Sequence, residues 1–600
     1  MASVISGMSK RIAMFSLFLI CLVNARLLAD PGKSIAWQPW SDDIFARAKA
    51  EHKFVLLDLG TEWCHWCHVM DVQTYADPRV IALIQSNYIP VRVDADARPD
   101  LANRYEDYGW PATVVYNADG GEIVKRRGFL DPDEMTSMLK AIIADPTPGP
   151  SVTAEEQISF GSSTALSPDV RQKLQAIFNQ SYDWEKGAWG HGQKFLNWDS
   201  VEWSMRLAAR GDQIAEKMAR QTLDAQLNLL DPAWGGVYQY STDDDWQHPH
   251  FEKIMQMQAE NLRIYSLAFA QFHDQKYLHA ADAIHNYLTN FLLAPNRGFY
   301  TSQDADLVDG VHSADYFALS DADRRKQGIP RIDQHEYSRE NGLAISALAF
   351  YSQITGNSEA LHQAVSAANW VISNRSLDDG GFRHDKHDPA GPYLADTLAM
   401  GQAFLQLYTA TADRAWLTRA QSAAQFISDH FQNDKIPGVL TAESGPFSPS
   451  PEFDENVQLA RWANLLNQYT GDKSDRALAD SAMKYLATPA IATGHGIDVG
   501  GLLLANDEIS RPALHLTVVG SKSDPAAGEL FKIAMAIPTT YDRLDWFDQS
   551  EGPPLNSDVE YPIGKKSAGY VCTATTCSLP AYTPEDYAKR IAAAIRRSTN

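Results

Sequence analysis

Between residues 30 and 145 the apolar positions switch between strand-length runs and helical spacing. Phe54 to Leu59 is continuously apolar except for Asp58, and Tyr88 to Asp94 reads as a second strand. Ala112 to Tyr116 and Glu122 to Arg127 flank Asn117-Ala-Asp-Gly-Gly121, a strong hairpin turn. Asp42 to Glu51 and Val69 to Asn87 carry helical patterns, and Asp131-Pro-Asp-Glu134 opens a last helix with acids in its first turn. The pattern predicts a small α/β domain over 30–145. A linker over 146–164 follows, because the prolines of Pro146-Thr-Pro-Gly-Pro150 break both kinds of hydrogen-bond ladder.

Residues 165–510 are patterned differently. Ala344 to Ile354, Ala399 to Thr411 and Leu459 to Tyr469 carry apolar residues at helical spacing, and each run ends in a short polar break: Thr355-Gly-Asn, Thr411-Ala-Asp, Thr470-Gly-Asp. A second helix follows each break, then a glycine hinge. The hinges at Gly236, Gly298, Gly380, Gly438 and Gly500 lie 62, 82, 58 and 62 residues apart. That is a helix-hairpin repeat with insertions, about six hairpins long, in a ring or solenoid, since each hairpin needs neighbours to bury its apolar faces. Residues 511–600 return to α/β: a strand at Leu514–Val519, a helix at Ala526–Ala536, a strand at Arg543–Phe547 and a final helix from Pro584.

Composition narrows the function classes. A net charge of −23 disfavours nucleic acid and anionic membrane as partners, because nothing would neutralise phosphates. Five cysteines in 600 residues exclude a disulfide-scaffolded fold. One lies in Ile12–Val23, an apolar run preceded by Lys10 and Arg11, which reads as a secretory signal over 1–29 cleaved after Ala25 or Ala29. The reading places the protein in the periplasm or outside the cell, with a membrane as partner only if the signal stays uncleaved. The other four form two pairs, Cys64 with Cys67 and Cys572 with Cys577, in a compartment that permits disulfides.

Cys64-His-Trp-Cys67 follows a predicted strand and opens a helix, where the helix dipole favours thiolate. Cys64, at the open end, is the attacking nucleophile, and Cys67, one turn inward, resolves the mixed disulfide. His65 can place positive charge beside the thiolate, and Trp66 offers apolar contact. Cys64-x-x-Cys67-His68 also fits c-type haem attachment, which does not need the preceding strand, and Cys64, Cys67 and His65 or His68 could be a zinc set, although adjacent helix positions point different ways and all four do not easily converge.

The stretch resembles thioredoxin over about residues 35–145. The resemblance implies that Asp58, six residues before Cys64, is the buried acid that moves a proton to or from Cys67. It also implies that Pro111, in Gly109-Trp-Pro-Ala, is the cis-proline facing the disulfide. The whole chain resembles a narrower family, the spermatogenesis-associated thioredoxin-like proteins and their bacterial relatives. The further stretches that carry this likeness are Pro249-His250-Phe-Glu252-Lys-Ile, Gly298-Phe-Tyr-Thr-Ser-Gln-Asp304-Ala-Asp306, and Ala568-Gly-Tyr-Val-Cys572 through Cys577-Ser-Leu-Pro. That family implies a thioredoxin-like α/β domain, then an all-α (α/α)6 toroid similar to those of glycosidases and sugar epimerases, then a small α/β segment.

The expected function is therefore an exported thiol–disulfide oxidoreductase acting on a thiol- or disulfide-containing protein, with no cofactor besides the Cys64–Cys67 disulfide. The alternative is a carbohydrate-active enzyme or binding scaffold that uses the toroid. Glycoside hydrolysis needs paired carboxylates, and Glu252, Asp304, Asp306, Glu336, Glu340, Asp396 and Glu455 are candidates. Epimerisation needs bases, for which His250 and His335 qualify. His250, Glu252, Asp304 and Asp306 stand out as second-site candidates. Cys572 and Cys577 read as a local structural disulfide or as a relay pair exchanging with the first.

Overall fold

The computed structural model describes residues 34–105, 108–152, 158–433, 435–573 and 577–597. The signal reading over 1–29 lies outside the described residues.

The first domain is thioredoxin-like: α1 (Ile44–Glu51), β1 (Phe54–Gly60), α2 (His65–Gln73), α3 (Pro78–Asn87), β2 (Tyr88–Asp94), α4 (Pro99–Tyr105), β3 (Ala112–Tyr116), β4 (Glu122–Arg127) and α5 (Pro132–Ala144). The sheet order is β2-β1-β3-β4. β1 is parallel to β2 and antiparallel to β3. β1 is buried along nearly its whole length, as a central strand covered on both faces must be. Asp131 and Glu134 form a capping box that starts α5. The single helix expected over Val69–Asn87 is instead two. α2 ends at Gln73, and Asp77 then caps α3 while Pro78 takes its first position. An Asp-Pro start outweighs continuous apolar spacing because it satisfies free amides that a through-helix would not leave.

The second domain is a ring of helices. Inner helices α7 (Trp198–Ala209), α9 (Met255–Phe272), α13 (Ser338–Thr355), α15 (Leu394–Thr411), α17 (Phe453–Thr470) and α20 (Gly500–Ile509) pack each on the next, and α20 closes on α7. Outer helices α8 (Gln213–Gln226), α10 (Gln275–Tyr287), α14 (Ser358–Arg375), α16 (Arg414–His430) and α18 (Lys473–Leu486) return along the outside. The polar breaks make these turns. Gly356, Ala412 and Gly471 adopt left-handed φ at the ends of inner helices, and Asn357, Asp413 and Asp472 cap the outer helices that follow.

Two expectations change. Gly500 and Gly501 are no hinge; they open α20, and a Cβ on Gly500 would lie 2.5 Å from the backbone nitrogen of Ser200 in α7. Glycine is there to let two inner helices touch. The sixth hairpin is also discontinuous: α20, near the toroid's end, pairs with α6 (Pro168–Gln180), at its start. The ring is thus closed by joining its own two ends.

The long interval between Gly298 and Gly380 holds an insertion with α11 (Ala314–Phe317) and α12 (Asp321–Gln327). Within it, Ser302–Gln303 pairs with both Lys253–Ile254 and Ile332–Asp333 in a three-stranded sheet. Buried Asp231 anchors the insertion by accepting from Lys253 (2.6 Å) and Arg324 (2.7 Å). The C-terminal segment forms a sheet in which Leu514–Val519 is parallel to Asp542–Phe547 and antiparallel to Ala568–Cys572. The last strand was missed, since its Ala-Gly-Tyr-Val-Cys run is buried throughout and does not alternate. This segment sits over the end of the ring where the inner helices finish: Tyr408 donates to Asp545 (2.8 Å) and Tyr469 to the carbonyl of Asp542 (3.1 Å).

Candidate redox site

Cys64 is the N-cap of α2, and its sulfur accepts from the amide of Cys67 at 3.1 Å. The two sulfurs are joined as a disulfide with Cα atoms 5.3 Å apart. Both belong to the positive end of a helix, where a freed thiolate on Cys64 gains from the dipole and from that amide. The Trp110–Pro111 peptide is cis. Gly60, at the end of β1, leaves room for the resolving cysteine: a Cβ there would lie 3.1 Å from the Cys67 sulfur. Asp58 is buried. It accepts from Tyr75 (3.0 Å) and pairs with Arg92 (2.8 Å), and burial raises its pKa despite the guanidinium.

The toroid supplies the surroundings of the motif. The Nδ1 atoms of His65 and His68 both turn onto Asp306, at 2.7 and 3.2 Å. Asp304 lies 3.7 Å from His68 Nδ1, and Arg331 spans Asp304 Oδ2 (3.1 Å), His68 Nε2 (3.2 Å) and the carbonyl of Glu62 (2.8 Å). Burial disfavours charge on Asp306, but the two histidines outweigh it and hold its pKa at about 2. On Asp304 burial prevails over His68 and lifts the pKa to about 6. Glu252 accepts the His65 amide through Oε1 at 3.3 Å. His250 stacks on Tyr240 with ring centroids 4.6 Å apart and reaches the half-exposed Trp66 at 6.3 Å. Gly310 rests on α2; a Cβ there would lie 2.8 Å from Val72. Of the second-site candidates, Asp304, Asp306 and Glu252 therefore contact the Cys-His-Trp-Cys-His helix through hydrogen bonds or ion pairs, and His250 packs against its Trp66.

The same geometry bears on a metal site. His65 and His68 direct their Nδ1 atoms to Asp306, so the four residues of the zinc alternative do not converge. Among the described residues His68, Asp304 and Asp309 bring possible ligand atoms within 4.8 Å of one another. The Arg331 guanidinium bridges His68 and Asp304, however, so a positive charge already stands where a metal ion would. His335 likewise pairs with Asp333 (2.6 Å), and Asp396 with buried His384 (3.0 Å). His384 also crosses to the first domain, donating Nε2–H to the carbonyl of Asp96 at 2.7 Å.

Cys64 itself is only 4% exposed. It lies on the wall of a cavity of about 730 Å³ between the first domain and the N-terminal ends of the inner helices. Trp63, Trp66, Asp96 and Trp110 line one side; Glu252, Glu340, Glu455 and His384 line the other. Trp63 is fixed by its indole N–H, which donates to Asp96 at 2.7 Å. Glu252 and Glu340 each keep one buried carboxylate oxygen with no hydrogen-bond partner among the described residues. Sequence reasoning missed Arg331, Asp96 and His384, which have no local motif and matter only through contacts between distant segments.

The family described as "Thioredox_DsbH: Protein of unknown function, DUF255" matches residues 23–142. Spermatogenesis-associated protein 20 of Mus musculus is 29% identical over 323 residues, which cover 48% of this chain and 41% of that protein. Spermatogenesis-associated protein 20 of Homo sapiens is 28% identical over 316 residues, which cover 47% of this chain and 40% of that protein. The likeness spans less than half the length of those curated relatives. Thiol:disulfide interchange protein DsbD 2 of Pseudomonas aeruginosa is 36% identical over 89 residues, or 14% of this chain and 15% of that protein. Among solved structures, D-mannose isomerase has a TM-score of 0.45 at 12% identity, covering 59% of this chain and 99% of that one. Cellobiose 2-epimerase from Bacillus thermoamylovorans B4167 has a TM-score of 0.43 at 10% identity, covering 53% and 86%. Among the described residues no helix is long and apolar enough to cross a membrane.

Proposed function

We propose that the protein is an exported thiol–disulfide oxidoreductase. The observation that carries this reading is the Cys64–Cys67 disulfide at the N-terminus of α2, with Cys64 on the wall of a cavity that Trp110 also lines. The likeness to a thiol:disulfide interchange protein supports it. In the reducing direction the Cys64 thiolate attacks a substrate disulfide. One substrate sulfur leaves as thiolate and takes a proton, and a Cys64–substrate mixed disulfide remains. Cys67 then attacks Cys64, releasing the second substrate thiol and re-forming the 64–67 disulfide. His65, pinned to Asp306, fixes the first turn of α2, and Glu252 sits on the amide next to Cys64.

The test is a redox titration of the full chain with quantified thiols, together with Cys67→Ala. The pair should titrate reversibly as a two-electron couple, and the variant should accumulate a mixed disulfide with substrate. A pair that cannot be cycled would end the redox reading. A carbohydrate-active toroid is the second reading, favoured by Glu252, Glu340 and Glu455 lining one cavity. Sugar turnover unaffected by Cys64→Ser would support it.

A further inference from the structure

Three features of the cavity bear on what Cys64 reacts with. Access comes first. Cys64 is almost fully buried, and the thioredoxin-like domain is fixed over the ring by His65 and His68 on Asp306, by Arg331 on Glu62 and by His384 on Asp96. The other end of the ring is covered by the C-terminal segment. A folded protein cannot bring a buried disulfide to this sulfur without undoing that docking. The cavity, about 730 Å³, has the size of a small-molecule site.

Chemistry comes second. Glu252 Oε1 takes the His65 amide and Glu340 Oε1 takes Arg339 (2.6 Å), which leaves Oε2 of each buried and without a donor among the described residues. A buried acceptor left without a donor is costly, so the pair suits a donor that arrives with a ligand. Charge comes third. Glu452 and Glu455 add carboxyl groups to the same wall; Asp454 lies there too, but burial and then Glu452 push its pKa well up, so it adds little negative charge. Of the cations there, Arg339 is engaged with Glu340 and Gln256 and His384 with Asp396, while Arg127 stands on the first domain's side of the cavity, across from the carboxyl groups. The wall suits ammonium groups and disfavours carboxylates.

We propose that this cavity binds a low-molecular-weight disulfide bearing protonated amines, and that such a compound oxidises the reduced Cys64–Cys67 pair. The proposal rests on the redox reading above. Its balance is that of two exchanges: the dithiol and one RSSR become the 64–67 disulfide and two RSH, with Cys64–S–S–R between them.

The test uses the full chain with the pair reduced and excess reductant removed. Cystamine, hydroxyethyl disulfide, oxidised glutathione, a lysine-rich unstructured peptide disulfide and a folded protein disulfide are each mixed with it, and thiol loss is followed by rapid quenching and alkylation. Free dithiothreitol supplies the intrinsic reactivity of each. After that correction cystamine should outrun oxidised glutathione by about tenfold or more, the scale on which a cleft of one sign alters encounter rates. The peptide and the folded protein should trail cystamine. Glu340→Gln and raised salt should each shrink the cystamine advantage over hydroxyethyl disulfide; the salt arm needs no variant to fold. A corrected cystamine-to-glutathione ratio near one, or a folded protein disulfide that matches cystamine, overturns the proposal. Failure of every disulfide to oxidise the pair removes the redox reading and this proposal with it.

Discussion

Asp306→Ala probes whether the toroid holds the redox helix. The carboxylate accepts from His65 at 2.7 Å, from His68 at 3.2 Å and from the amide of Gly310 at 2.8 Å, and the side chains of Asp306, His65 and His68 are all buried. Hydrogen bonds that involve a charged partner contribute about 1.5–3 kcal/mol each, and removing one member of a buried charged set strands the others. Part of that loss is recovered by Asp304 and water, so about 3 kcal/mol is expected. The loss falls on docking of α2 and not on either core, and it is read best by amide hydrogen exchange. Exchange of the α2 amides His68 to Asp71 should accelerate roughly 100-fold, while β1 and the inner helices stay as in the wild type. The pH sign is fixed by the depressed pKa. Asp306 titrates at about 2 when folded against 3.8 when free, so its contribution is complete above pH 3.8 and is lost as pH falls through 2. The wild type should loosen at α2 across that window, and the variant should already be loose above it. Wild-type exchange at α2 in the variant would refute the argument that these contacts carry the docking.

Two further outcomes are expected. His384 donates from both ring nitrogens, to Asp396 and to the Asp96 carbonyl, which only the imidazolium can do; burial opposes this, yet Asp396 lifts its pKa to about 9. Its stabilisation, about 3 kcal/mol at most, is fully present below pH 6.5 and is lost as pH rises through 9. A thermal midpoint that does not fall over that range, or that falls equally in His384→Gln, would contradict this. Cys572 and Cys577 close a loop of sequence separation 5, so replacing both with Ser should destabilise the C-terminal sheet by about 2 kcal/mol in denaturant. The 64–67 titration should be unmoved; a shift there would favour the relay role.

Local structure was largely legible. β1 to β4 announced themselves through apolar runs and the Asn-Ala-Asp-Gly-Gly turn, because a central strand and a tight hairpin each require particular residue types over a few positions. The toroid's turns were legible for the same reason, since Thr-Gly-Asn, Thr-Ala-Asp and Thr-Gly-Asp join a left-handed helix end to an N-cap. The break at Thr74–Asp77 was read wrongly because periodicity alone outweighed an Asp-Pro start. Gly500 was read as a hinge because close helix packing and a turn ask for the same residue.

The placement of chemistry was not legible. His250, Glu252, Asp304 and Asp306 could be picked out but not paired, and the three-stranded sheet joining Lys253, Gln303 and Ile332 is what gathers them under α2. Arg331 and His384 carried no signal, because their partners in the first domain, His68 and the Asp96 carbonyl, lie 263 and 288 residues away. The sequence by itself determined a redox-type cysteine pair at a helix start, a repeat of helical hairpins and a separate tail. These follow from short-range steric and hydrogen-bonding rules. Only the tertiary structure decided that the ring closes by pairing its two ends, that the histidines of the motif serve docking, and that Cys64 faces an acidic cavity instead of solvent. Those depend on burial and charge summed over segments hundreds of residues apart, which no local pattern encodes.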